Sequence, residues 1–319
     1  MSSEPPSSLS EYRGRLAPSP TGYLHVGHAR TFRTAYDRAR AANGTLAMRM
    51  EDLDPQRSRE VYADAALEDL RWLGLDWQEG PDVGGPFAPY EQRGRGAFYL
   101  EAWRRLFALG AIYPCRCSRK DLEAALSAPH EEGPGAEDDE PIYPGTCRPG
   151  TCRPGTSGPS ASRPANLAPD SLSPRSDSSV PPSPESQNWR FAVPIGEEIA
   201  FIDRNLGPRR FVAGRDFGDF LVWRRDGVPS YQLACVADDA AMCITEVVRG
   251  ADLLKSTARQ ILLNRALGYA DPAWFHCALV TDSRGVRLAK RHDALSIRTL
   301  REHGLTPEQV LSAEFALDE

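Results

Sequence analysis

The hydrophobic spacing changes period twice between Gly14 and Glu51, and this limits the fold more than any other feature of the chain. Gly14 to Ala17 reads as a short strand. Ala29, Phe32, Ala35, Tyr36 and Ala39 then recur at helical spacing until Asn43-Gly44 supplies a helix stop. From Thr45 to Glu51 the residues alternate, with Leu46, Met48 and Met50 on one face and Ala47, Arg49 and Glu51 on the other. Strand, helix, strand predicts a parallel sheet, because parallel neighbours need a crossover connection. Ligands of such sheets gather beyond the carboxyl ends of the strands. The loop after the first strand and the pair Glu51-Asp52 are therefore expected to line one crevice. Helical patterns over 57–73 and 92–109 continue the α/β alternation.

The loop itself, RLAPSPTGYLHVGH over residues 15–28, places two histidines around a glycine at a helix start. A helix start offers unpaired N–H groups and a positive end, and His25 and His28 can donate hydrogen bonds to phosphate oxygens. Gly22 and Gly27 allow close backbone approach. The combination suits the triphosphate of ATP, although an H-x-G-H run standing alone also occurs in ordinary loops.

With 319 residues the chain has room for one large domain with an insertion, or for two domains. Its 44 acidic and 38 basic residues give a formal charge of −6, which disfavours indiscriminate binding along nucleic-acid backbones but permits a local basic face. No run of about 18 apolar residues occurs, and MSSEPPSSLSEYRG lacks an apolar stretch behind a basic start. No membrane partner is expected, and the cytoplasm is the expected location. The first dozen residues read as a loose tail, and the Ser/Pro-rich tract over 148–188 holds too few large apolar residues to stay ordered. Regular structure is expected to resume at Trp189, with strands over 189–194, 211–213 and 220–224, a turn at Asp226-Gly227, a strand-like stretch from Cys277 to Val280, and helices over 253–267 and 294–303.

Seven cysteines, an odd number unevenly spread, fit reduced thiols or metal ligands better than a disulfide framework. Cys115, Cys117, Tyr143 and Cys147 bring three thiols and a phenol into one excursion, a set that suits tetrahedral zinc in a structural role. Cys152 competes with Cys147, because GTCRP is duplicated five residues on, and spacing does not choose between them. Cys235, Cys243 and Cys277 read as small core residues. Arg15, Glu51, Tyr231 and Arg249 stand beside predicted ligand loops. Two guanidinium groups, a carboxylate and a hydroxyl match an amino acid with an acidic side chain. Near the C-terminus, Lys290 within RLAKR is placed to neutralise charge on a transferring phosphate.

Together these segments resemble the class I aminoacyl-tRNA synthetases of the glutamate branch. PSPTGYLHVGH resembles that family's HIGH region, MRMEDLDP its acidic strand end, YQLACVADD and ITEVVRGADLL its amino-acid pocket segments, and RLAKR its KMSKS loop, in the expected order. The resemblance implies a Rossmann-type parallel-sheet nucleotide-binding domain with a small zinc-binding insertion and a helical C-terminal part. It assigns L-glutamate to Arg15, Leu16, Ala17, Pro18, Ser19, Glu51, Tyr231 and Arg249, and ATP with Mg2+ to His25, Gly27, His28 and Lys290. His25, His28 and Lys290 become the expected catalytic residues, and Cys115, Cys117, Tyr143 and Cys147 match a zinc pattern of shorter members. The expected layout is a disordered tail over 1–12, a catalytic domain in two halves over 13–112 and 189–275, the zinc-binding insertion over 113–188, and a KMSKS-like loop with helices over 276–319. Arg287 and Ala289 stand where lysine and serine are usual, which keeps charge and removes a hydroxyl, so slower activation is expected.

Only 28 residues follow Arg291, fewer than the anticodon-reading domains of full-length members need. The resemblance then implies a free-standing catalytic paralogue. Such an enzyme forms glutamyl-adenylate without tRNA and transfers glutamate to queuosine in the anticodon of tRNA(Asp). A truncated synthetase charging a tRNA 3′ end, and a catalytically weak tRNA-binding module, are the competing expectations.

Overall fold

The computed structural model of the protein describes residues 12–118, 121, 142–150, 184, 186–280 and 296–312. Strand β1 (Arg13–Leu16) leads through a loop into helix α1 (Val26–Ala41), and β2 (Thr45–Met48) returns parallel to β1 with Arg13 opposite Thr45. The helix buries Val26, Ala29, Phe32, Ala35 and Ala39 as one apolar stripe against the sheet. It stops where the sequence indicates: Asn43 has φ 49°, and a Cβ at Gly44 would lie 2.4 Å from the Tyr12 carbonyl oxygen. Both faces of β2 are covered, so its alternation separates two buried layers.

Helix α2 (Glu60–Trp72) and helix α3 (Gly96–Ala108) follow, the latter behind a short 3-10 turn at Gln92–Gly94. Next, β3 (Ile112–Cys115), β4 (Asn188–Phe191) and β7 (Phe220–Trp223) form a small antiparallel sheet in the order β3-β4-β7. A second sheet contains β5 (Glu198–Asp203), β6 (Gly207–Val212), β8 (Glu246–Gly250) and β9 (Ala273–Cys277), in the order β6-β5-β9-β8. Its β5, β9 and β8 run parallel, while β6 is antiparallel at the edge. Helix α4 (Tyr231–Ala241) precedes β8, and α5 (Leu254–Leu267) connects β8 to β9. The short helices α6 (Ile297–Glu302) and α7 (Pro307–Leu311) close the described chain.

The two parallel units meet side by side at β1 and β8. The Thr245 N–H donates to the Arg13 carbonyl at 2.9 Å, and the Arg13 N–H donates to Thr245 Oγ1 at 2.8 Å. Further along, the backbones part and a side chain fills the seam, with Arg15 Nη1 donating to the Val248 carbonyl at 2.9 Å. Buried Glu246 locks the outer part of this join, accepting from Tyr12, Arg38 and Arg204 at 2.6–2.7 Å. One apolar core lies between α3, the antiparallel sheet, α4 and α5; the other lies between α1, α2, β1, β2 and β8.

Several sequence expectations move. The strands β3, β5 and β8 and the helix α4 are absent from the sequence reading, and the strand expected over 277–280 lies earlier, at Ala273–Cys277. Within β5 the apolar residues fall on both faces, with Ile199 buried and Ile202 exposed, so period-2 spacing is lost. In β8, Glu246 and Arg249 are buried charges that interrupt an apolar run. Cys243 is exposed at φ 55°, not a core residue. The tail 1–11, most of 148–188, Cys152, Arg287, Ala289 and Lys290 lie outside the described residues.

Candidate active site

The site builds up from the end of β1. Backbone bonds draw the first loop against the end of β2: the Arg49 N–H donates to the Leu16 carbonyl at 2.8 Å, and the Glu51 N–H to the Pro18 carbonyl at 2.9 Å. Strand alternation sends Leu16 into the core and Arg15 into the seam, so Leu16 offers a ligand only its backbone. Ser19 is exposed, and its carbonyl accepts from the Thr21 N–H at 2.8 Å. Asp52 departs from expectation. Its carboxylate accepts from the Arg93 N–H at 2.9 Å and lines a separate cleft of about 660 Å³ with Pro20, Arg59 and Glu91, away from Glu51.

Beneath Glu51 lies Arg49, which has no exposed surface. It donates to Glu51 Oε1 at 3.1 Å and to Asp239 Oδ1 at 2.6 Å, with Asp238 at 3.9 Å. Burial alone would lower the affinity of this guanidinium for its proton; Asp239, Glu51 and Asp238 more than offset that and keep it charged. Asp238 is also held by Arg95 at 2.5 Å, Gln92 at 2.8 Å and Tyr99 at 2.9 Å. Cys235 faces this cluster and donates its thiol hydrogen to Glu51 Oε1 at 3.5 Å. Burial, reinforced by Glu51, keeps the thiol protonated, so Cys235 serves as a donor to Glu51 and not as a mere apolar filler.

Tyr231 is the first residue of α4, behind the N-cap Ser230, whose hydroxyl accepts from the Leu233 N–H. Its phenol accepts from Arg249 Nη1 at 3.4 Å, and the charges of Glu51 and Arg15 also reach it. Arg249 is 5% exposed and rises from β8, with Nη2 donating to Thr257 Oγ1 at 2.7 Å and Nε to His276 Nε2 at 3.3 Å. The structure thus gathers Arg15, Glu51, Tyr231 and Arg249 into one polar cluster at the carboxyl ends of β1, β2 and β8. It adds Arg49, Cys235, Thr257 and His276, which the sequence reading did not single out. Cross-strand register was the missing signal, since Arg249 lies directly opposite His276.

Beside the chain that follows β9 lies the start of α1. His25 is its N-cap, its Nδ1 accepts from the Gly27 N–H at 3.1 Å, and His28 Nδ1 accepts from the His25 N–H at 3.2 Å, which completes a capping box. A neutral imidazole that accepts at Nδ1 carries its proton on Nε2, so capping sets both rings as Nε2 donors. Gly27 is needed here because a Cβ would lie 2.9 Å from His25 Cε1. Both flanks of the segment that carries Lys290 come to this point: Val280 lies 3.9 Å from the position of a Gly27 Cβ, and Ser296 bridges His25.

A second cluster sits at the end of β3. The sulfurs of Cys115, Cys117 and Cys147 lie within 4.8 Å of one another, with Cys117 and Cys147 3.6 Å apart, and Tyr143 Oη is 3.5 Å from both Cys115 and Cys117. Tetrahedral zinc with Zn–S bonds of about 2.3 Å sets ligand atoms about 3.8 Å apart, so these four donors fit the ion. Burial pushes the Cys117 thiol up to about 11. Arg190 donates to Cys115 Sγ at 3.3 Å and covers the Tyr143 ring, its Cζ 3.8 Å from the centroid.

A parallel α/β sheet split between β1 and β8, with a histidine-capped helix start on one side and a two-arginine cluster on the other, places the chain in a known class. The family described as tRNA synthetases class I (E and Q), catalytic domain, matches residues 11–142 and 175–315, and the chain belongs to it as an aminoacyl-tRNA-synthetase-type ligase. Among its relatives, the glutamyl-Q tRNA(Asp) synthetase of Symbiobacterium thermophilum is 49% identical, over 93% of this chain and 84% of the relative. The glutamate–tRNA ligase 1 of Halorhodospira halophila is 40% identical, over 93% of this chain and 57% of the relative. The crystal structure of the glutamate-tRNA synthetase from Elizabethkingia anophelis superimposes with a TM-score of 0.69 at 26% identity, covering 93% of this chain and 54% of that one. Among the described residues no helix is long and apolar enough to cross a membrane.

Proposed function

We propose that the chain uses ATP to activate L-glutamate as glutamyl-adenylate without needing tRNA, and then transfers the glutamate to queuosine in the anticodon of tRNA(Asp). The observation that carries this reading is the convergence of Arg15, Glu51, Tyr231 and Arg249 beside the histidine-capped start of α1. Glutamate presents two carboxylates and an ammonium, and the cluster presents two guanidinium groups, a carboxylate and a phenol. The acceptor rests on other support, namely the names of relatives that align with most of this chain.

In the first step a glutamate carboxylate oxygen attacks the α-phosphorus of ATP in line, the bond to the bridging oxygen breaks, and pyrophosphate leaves. Mg2+ enters with the nucleotide as part of the substrate. His25 and His28 donate through Nε2 to phosphate oxygens, and Lys290 offsets the charge on the leaving group. In the second step an acceptor hydroxyl attacks the mixed anhydride carbonyl and AMP departs. Cys115, Cys117, Tyr143 and Cys147 would hold zinc; when bound, it would deprotonate the thiols and fix the entry to the insertion.

Two measurements test the reading. Glutamate-dependent ATP–pyrophosphate exchange without tRNA is expected, and its absence with saturating substrates overturns the activation step. Radiolabelled glutamate on queuosine-containing tRNA is then mapped by nuclease digestion. Label on the anticodon fragment is expected; label on the 3′-terminal nucleoside would instead make the chain a glutamate–tRNA ligase, the name carried by several 40%-identical relatives.

A further inference from the structure

Arg249 on β8 lies directly opposite His276 on β9, and Asp203 at the end of β5 reaches His276 through its side chain, all three of them buried. His276 Nδ1 lies 2.6 Å from Asp203 Oδ2. The Asp203 carboxylate also accepts from the backbone N–H groups of Asn205, Leu206 and His276 at 2.8–3.3 Å. Four donors thus keep Asp203 anionic, although burial opposes it. An anionic partner at this distance requires the imidazole proton on Nδ1, which leaves the Nε2 lone pair facing Arg249 Nε at 3.3 Å and Thr257 Oγ1 at 3.0 Å. Burial and the charge of Arg249 hold His276 neutral, pushing it down to about 4.

We propose that Asp203 and His276 are a positioning dyad that fixes the Arg249 guanidinium for an anionic amino-acid side chain. This rests on the reading of Arg249 as a glutamate-binding residue. The dyad acts by committing donors. Arginine has five N–H groups; one goes to His276, one to Thr257 and one to Tyr231, so two are left for a carboxylate in a single fixed plane. Without an acceptor at His276 Nε2, the long side chain regains rotamers, and glutamate must order it on binding. A neutral imidazole matters equally, because a protonated one would present a second donor and a second positive charge beneath Arg249.

The test is glutamate-dependent ATP–pyrophosphate exchange at saturating ATP, with melting temperature recorded for each variant. His276→Phe is expected to raise KM for glutamate at least tenfold, with kcat within about twofold, and to narrow discrimination against glutamine. His276→Gln, whose amide oxygen reaches the Nε2 position, is expected to recover most of that loss. Thr257→Val keeps shape while removing the hydroxyl between Arg249 and His276, and reads the same KM shift should His276→Phe not fold. Arg249→Ala serves as the reference. If Arg249→Ala abolishes glutamate selectivity while Thr257→Val and folded His276→Phe retain wild-type KM, the dyad proposal is overturned and the glutamate reading stands. If Arg249→Ala itself leaves KM unchanged, both fall. Equal losses in kcat for the Phe and Gln variants would reduce His276 to a packing residue and also overturn the proposal.

Discussion

Asp69 lies on the inner face of α2 with no exposed surface, and neither carboxylate oxygen has a hydrogen-bond partner among the described residues. The arginines near it on α6, Arg298 and Arg301, are ion-paired to Glu68 at 2.7 and 2.8 Å. Burial, partly countered by Arg298 and Arg301 and reinforced by Glu68 and Glu302, raises Asp69 from 3.8 to about 6. The fold therefore holds this proton more tightly than the unfolded chain does. The associated stability is fully present below about pH 3.8 and is lost as the pH rises through about 6. A shift of about two units corresponds to roughly 3 kcal/mol at pH 8 and about half of that at pH 5. Asp69→Asn stays neutral throughout, so it should match the wild type in acid and exceed it by about 3 kcal/mol at pH 8, or about 6 °C in melting temperature. Urea unfolding of both proteins at pH 5, 6 and 8, followed by circular dichroism, measures the gap directly. A gap that stays constant across this range, or a less stable Asn variant at pH 8, would refute the reasoning.

Other consequences are equally accessible. Gly27→Ala should displace the His25 ring, weaken its cap on the Gly27 N–H and lower ATP–pyrophosphate exchange, at a stability cost of no more than about 1 kcal/mol, since the added methyl meets His25 and no backbone. His28→Ala should lose about 10²–10³-fold in exchange rate, the usual effect of removing one preorganised donor, and about 1 kcal/mol of stability through the broken capping box. Arg249→Ala should raise KM for glutamate by about 10²-fold or more, as expected when one partner of a buried charge pair is removed. Elemental analysis should find one zinc per chain, and Cys117→Ser should release it and lower the melting temperature.

The parts legible in sequence were those written in local spacing. The β1–α1–β2 unit follows from two hydrophobic periods and a glycine stop, and the helix start at the two histidines follows from four consecutive residues, although their capping bonds do not. Arg15, Glu51, Tyr231 and Arg249 are singled out by their chemistry and the resemblance, and the structure draws them together. Residues whose meaning depends on a neighbour from another strand stayed hidden. Nothing within WFHC marks His276 as the partner of Arg249, because that pairing exists only once β8 and β9 lie in register. Cys235 likewise looks like any small residue of an apolar helix until α4 is laid over Glu51.

The seam between β1 and β8 is bridged by a side chain where a backbone ladder would otherwise run. Arg15 is thus a structural rivet, and under the proposed function it is also a recognition group, with the amino acid lying along the unstitched length of the sheet. Exchanging Arg15 to admit a different metabolite would loosen the joint between two halves of the molecule, so selectivity at this position cannot be redesigned independently of mechanical integrity.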